Sequence, residues 1–92
     1  MKRVHLYISG VVQGVCFRYY TKEYAENLGL QGWVRNLRNS KVEVLVEGKN
    51  EEIEKLIHWC HKGPSGAKVE NVWQENQNYI GNWVNFSIEK DA

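Results

Sequence analysis

Nine consecutive residues, Gly10-Val11-Val12-Gln13-Gly14-Val15-Cys16-Phe17-Arg18, bring together the groups from which proteins build anion sites. They place a glycine-framed loop between an apolar strand pattern and a helical one, and they end on a guanidinium. Glycines at 10 and 14 open backbone conformations closed to other residues, so successive N–H groups can turn toward one ligand. The start of the following helix adds unpaired N–H groups and the positive end of its dipole. Arg18 contributes a planar donor fork that matches a phosphoryl group. Two glycines four residues apart also fit a plain strand-to-helix turn followed by a surface arginine. A second suggestive residue is Asn36, within Gly32-Trp33-Val34-Arg35-Asn36-Leu37. Asparagine runs against strand propensity, yet its carbonyl can accept from a water while its amide donates to an oxyanion. A polar residue on an exposed edge strand is the plainer reading of the same position.

These groups must be positioned by the rest of the chain, whose hydrophobic period switches between two and three-to-four residues. Val4, Leu6 and Ile8 alternate with His5, Tyr7 and Ser9, a first strand. Over residues 19–28, Tyr20, Tyr24, Ala25 and Leu28 recur at helical spacing, and Gly29 stands where a helix ends. Gly32 to Leu37, a polar turn at Arg38-Asn39-Ser40-Lys41, and Val42, Val44 and Val46 alternating with Glu43 and Glu47 up to Gly48 read as a hairpin. Asn50 is placed to cap a second helix with Glu51 and Glu52 in its first turn, Ile53, Leu56, Ile57 and Cys60 as its buried stripe, and His61 and Lys62 at its end. Gly63-Pro64 stops it, a strand runs from Ala67 to Trp73, and a short last strand covers Val84, Phe86 and Ile88.

The order β-α-β-β-α-β predicts an α+β fold, the ferredoxin-like split β-α-β sandwich, with one antiparallel sheet and two helices on one face. In that topology the first two strands run parallel with the third between them. The loop after the first strand and the end of the second then emerge at one edge of the sheet, roughly 10 Å apart. Arg18 and Asn36 are expected to share a cleft, with Asn36 on the face of Val34 and opposite Trp33, Arg35 and Leu37.

The chain has 92 residues, read as one domain over 1–92, and twelve Lys and Arg against eleven Asp and Glu give a net charge of +1. That balance argues against wrapping nucleic acid or lying on anionic lipid. With neither a signal peptide nor an apolar membrane span in view, a cytoplasmic monomer is expected. Cys16 and Cys60 are then expected as free thiols rather than a disulfide, and neither belongs to a metal-binding spacing. The Asn85-Phe86-Ser87 triplet, inside a strand pattern, is read as coincidence. His58 and His61 complement the second helix's dipole, and the four tryptophans are read mainly as packing groups.

The segment from Gly10 to Arg18, followed eighteen residues after the arginine by Asn36 in Gly32-Trp33-Val34-Arg35-Asn36-Leu37, resembles the two signatures of the acylphosphatase family. The likeness covers almost the whole chain, including the Val42-Glu43-Val44 strand, the Ile53 to His61 helix with Gly63-Pro64 after it, and the last strand. It implies the same ferredoxin-like fold and an enzyme that hydrolyses the carboxyl-phosphate bond of small acyl phosphates, with no metal, no cofactor and no covalent phosphoenzyme. Inorganic phosphate would be product and competitive ligand, with neither nucleic acid nor membrane as partner. Position by position, the family's phosphate-binding arginine falls on Arg18 and its water-orienting asparagine on Asn36. Its phosphate-cradling loop falls on Val12, Gln13, Gly14, Val15, Cys16, Phe17 and Arg18. Three positions depart from the pattern: Val11 replaces a basic or polar residue, Cys16 is a thiol at a variable position, and Asn39-Ser40-Lys41 lacks the usual turn glycine. An RNA-recognition motif would share the fold, but Val42 to Glu47 carries two acids and no stacking ring. An acylphosphatase-like domain of a larger hydrogenase-maturation protein would share the signatures. With two residues after Lys90, the chain reads as a stand-alone enzyme.

Overall fold

Val4, Leu6 and Ile8 leave one face of β1 (Lys2–Val11) and are wholly buried, the period-two pattern of a half-buried strand. The computed structural model describes residues 1–92, in which β1 is followed by α1 (Phe17–Asn27), β2 (Gln31–Asn36), β3 (Val42–Gly48), α2 (Asn50–Cys60), β4 (Lys68–Gln77) and β5 (Phe86–Ile88). The sheet order is β4-β1-β3-β2-β5. β3 is antiparallel to both β1 and β2, so those two run parallel and end at the same edge of the sheet, as the element order requires. β4 pairs antiparallel with β1. These four strands make the antiparallel sheet of the ferredoxin-like sandwich, and β5 joins β2 in parallel, which makes the five-stranded sheet mixed. Both helices contribute to one core: Phe17, Ala25, Ile53, Leu56, Ile57 and Cys60 meet Val4, Leu6, Ile8, Val34, Val42, Val44 and Val46.

Element boundaries differ from the sequence reading in four instructive places. The buried face of α1 is Phe17, Thr21 and Ala25 at four-residue intervals, while Tyr20 and Tyr24 stand exposed beside it. Thr21 can occupy the core because its hydroxyl donates to the Phe17 carbonyl at 2.7 Å, and Tyr24 instead stacks on Trp59, with ring centroids 5.6 Å apart. Lys49, not Asn50, is the N-cap of α2, and its side chain makes no capping bond. β4 runs on to Gln77, since the ten-residue β1 offers it partners as far as Arg3. Val84 lies outside β5 and is almost fully exposed.

The face of the sheet away from the helices carries Glu43 and Glu47, both buried. Glu43 lies 2.6 Å from His5 Nε2 and accepts from Arg35 Nε at 2.6 Å. Glu47 accepts from the backbone N–H groups of Ile80 and Gly81, which draws the segment before β5 across this face. Cys16 and Cys60 are free thiols. No helix is long and apolar enough to cross a membrane.

Candidate active site

Gly10 and Gly14 turn out to serve different purposes. A Cβ at Gly10 would stand 2.1 Å from the Lys68 carbonyl oxygen, at the bulge where the register of β1 against β4 shifts, so the sheet itself requires this glycine. Gly14 has open space around it and a φ of 75°, so the backbone conformation alone requires it. Cys16 takes the same left-handed region, with φ 65° and ψ 24°, although it has a Cβ. Left-handed residues on either side of Val15 form a backbone of the kind that can turn successive N–H groups toward one ligand. Non-glycine residues in this region cost about 1–3 kcal/mol and persist where their surroundings dictate them, often at ligand sites.

Cys16 is also the N-cap of α1, where it supplies no side-chain cap, and the first turn holds no acid, in contrast to Glu51 and Glu52 in α2. The first helical bond runs from Tyr20 N–H to the Cys16 carbonyl at 3.1 Å. The N–H groups of Phe17, Arg18 and Tyr19 are therefore left without helical partners at the positive end of the dipole.

These groups open into a cleft of about 430 Å³ lined by Val12, Gly14, Cys16, Phe17, Arg18, Tyr19, Asn36 and Ile88. Arg18 and Asn36 are thus brought together, and five of the seven loop residues expected there, Arg18 among them, line the cleft. Gln13 and Val15 are not part of the lining. The Gln13 amide donates to the carbonyls of Leu37 at 2.8 Å and Lys41 at 2.9 Å, lashing the loop to the β2–β3 hairpin. Val15 is partly buried against the core. Buried Val12 and Phe17 anchor the loop from below. Tyr19 and Ile88 escaped the sequence reading. Adjacency to Arg18 was the available signal for Tyr19, whereas Ile88 depends on β5 pairing beside Val34.

Asn36 is 7% exposed and shares the inner face of β2 with Gly32 and Val34, as alternation predicts. Its carbonyl oxygen accepts from the Ala92 N–H at 2.9 Å, which fixes the backbone on the side away from β3. Its side-chain Oδ1 is buried and has no hydrogen-bond partner in the chain. Such an orphan acceptor costs about 1–3 kcal/mol unless a bound group uses it. Arg18 Nη1 lies 3.2 Å from Asp91 Oδ1, in an exposed pair. No carboxylate or imidazole lines the cleft itself. Tyr19 is held neutral, because hydrogen bonding to Glu23 one turn along the helix, together with that group's charge, raises its pKa.

The chain's resemblances converge on these same features. Residues 4–88 match the family model described as Acylphosphatase. The chain is 46% identical over 91 residues to an acylphosphatase of Syntrophus aciditrophicus (strain SB), an alignment that covers 99% of this chain and 95% of that protein. The crystal structure of acylphosphatase from Bacillus subtilis is similar with a TM-score of 0.93 at 29% identity, covering 97% of this chain and 99% of that one. An acylphosphatase structure from Coxiella burnetii gives 0.90 at 36% identity, covering 96% and 92%. With a family match that contains the loop, Asn36 and β5, and relatives of the same length and fold, the chain belongs to the acylphosphatase family and is an enzyme, a hydrolase.

Proposed function

We propose that this hydrolase cleaves the carboxyl-phosphate bond of acyl phosphates, releasing a carboxylate and inorganic phosphate, by in-line attack of a water that Asn36 orients, with no metal and no phosphoenzyme. The observation that carries this reading is the orphan Oδ1 of Asn36 in one cleft with Arg18 and an uncapped helix N-terminus. The loop N–H groups and the Arg18 fork bind the phosphoryl oxygens and stabilise the charge of the displacement. A carboxylate is a good leaving group, so no strong acid is needed. Asn36 accepts a hydrogen bond from one O–H of the water and aims its oxygen, but it takes up no proton. With no carboxylate or imidazole in the lining, the water's other proton passes to a phosphoryl oxygen of the substrate itself. Small size and a net charge of +1 fit a cytoplasmic monomer acting on a small molecule.

Benzoyl phosphate hydrolysis, followed by ultraviolet absorbance in excess chelator, tests this reading. Wild type turns over. Asn36→Ala loses roughly 10²–10³ in kcat with little change in KM, as expected for loss of one positioned group, whereas Arg18→Ala loses both kcat and affinity. Acid quenching during turnover of ³²P-labelled substrate leaves no label on the protein. Near-wild-type kcat in a folded Asn36→Ala removes the water-orienting role.

A further inference from the structure

The cleft has an apolar rim for which phosphoryl chemistry has no use. Tyr19 is 56% exposed and Ile88 41% exposed, yet both line the same cleft as Arg18 and Asn36. Separate elements deliver them. Tyr19 follows Arg18 in the first turn of α1, and Ile88 ends β5 in register with Val34, two residues before Asn36. Apolar side chains left open at the mouth of a polar cleft mark where an apolar part of a ligand is covered.

In-line displacement fixes which part of the substrate that is. The attacking water and the departing group lie on opposite sides of phosphorus. Asn36 is buried at the floor, so a water held there expels the leaving carboxylate toward the mouth, where Tyr19 and Ile88 stand.

Resting on the acyl phosphate reading above, we infer that Tyr19 and Ile88 form an acyl-group subsite that selects apolar acyl phosphates, aromatic ones foremost, over small ones. The test compares kcat/KM for benzoyl and acetyl phosphate in wild type, Tyr19→Phe and the double variant Tyr19→Ser/Ile88→Thr. The same substrate pair is used throughout, so the different intrinsic reactivities of the two anhydrides cancel in the change of ratio. The benzoyl-to-acetyl ratio falls about tenfold or more in the double variant, the scale of discrimination an apolar pocket supplies. Tyr19→Phe keeps the wild-type ratio, because the ring and not the hydroxyl makes the contact. An unchanged ratio in the double variant overturns the subsite. Failure of wild type on every acyl phosphate is a different result, which removes the underlying hydrolase reading and the subsite with it.

Discussion

The guanidinium of Arg18 already carries a carboxylate, that of Asp91 at 3.2 Å. Both partners are well exposed, 39% and 64% for the side chains, so the pair is screened by water and holds Arg18 weakly. On the proposed binding role, a phosphate dianion that also gains the loop N–H groups would displace it. Asp91 therefore acts as a weak internal competitor, and Asp91→Asn is expected to lower the inhibition constant of inorganic phosphate by up to about fivefold, the ceiling for an exposed pair. Raising the salt shrinks that difference. An inhibition constant that rises instead would show Asp91 holding Arg18 in its working pose. The two cysteines divide by their surroundings in a similar way: Cys16 is exposed in the cleft, while burial pushes the Cys60 thiol up to about 12 and leaves it inert.

At the scale of elements, the loop and the hairpin work as one piece because Gln13 ties them together. Losing its two bonds frees the loop to move relative to Asn36 while the loop backbone, Arg18 and Asn36 keep their own chemical groups. Gln13→Ala is expected to lower kcat roughly tenfold to a hundredfold, since a displacement of about 1 Å in a reacting constellation has that effect. Unchanged kcat with altered thermal stability alone would reduce Gln13 to a structural strut. Much of this architecture was legible in the residues. Alternation in Val42 to Val46 gave β3, and the same alternation put Asn36 beside Val34 on the inner face. Other features depended on tertiary partners. Thr21 is buried through a bond to its own helix, so its polarity concealed the core face of α1 and the nearby tyrosines were taken for it. The tie from the Gln13 side chain to the hairpin was not legible either, because spacing does not reveal where a long side chain turns. The unpaired state of Asn36 Oδ1 is likewise a property of its surroundings and not of residue type.

For the molecule as a whole, the two faces of the sheet separate function from stability. Asn36 points toward the helices, and its neighbour Arg35 points the other way to Glu43. Burial alone would raise the Glu43 pKa, but hydrogen bonds from Arg35 and His5, with their charges, outweigh it and hold the carboxyl below its ordinary value of 4.5. A pKa lowered by folding stabilises the fold above the unfolded value, and that contribution disappears as pH falls through the folded one. Near neutrality Glu43→Gln is expected to lose roughly 1.5–3 kcal/mol in denaturant unfolding, the worth of hydrogen bonds to a buried charge. The gap between variant and wild type should close as the pH drops below about 4.5. A gap that persists in acid would mean packing, not charge, accounts for the loss.

The same sheet fixes where the two ends of the chain emerge. Lys2 pairs with Gly48 at the edge opposite the loop, and the ten residues of β1 span about 30 Å before the cleft begins. Ala92, by contrast, bonds to the backbone of Asn36 and Arg38. Through those two bonds the backbone at Ala92 buttresses the strand that carries Asn36, so residues 91–92 tie the cleft's edge to the far side of β2 from β3, while the start of β1 lies a full strand length away.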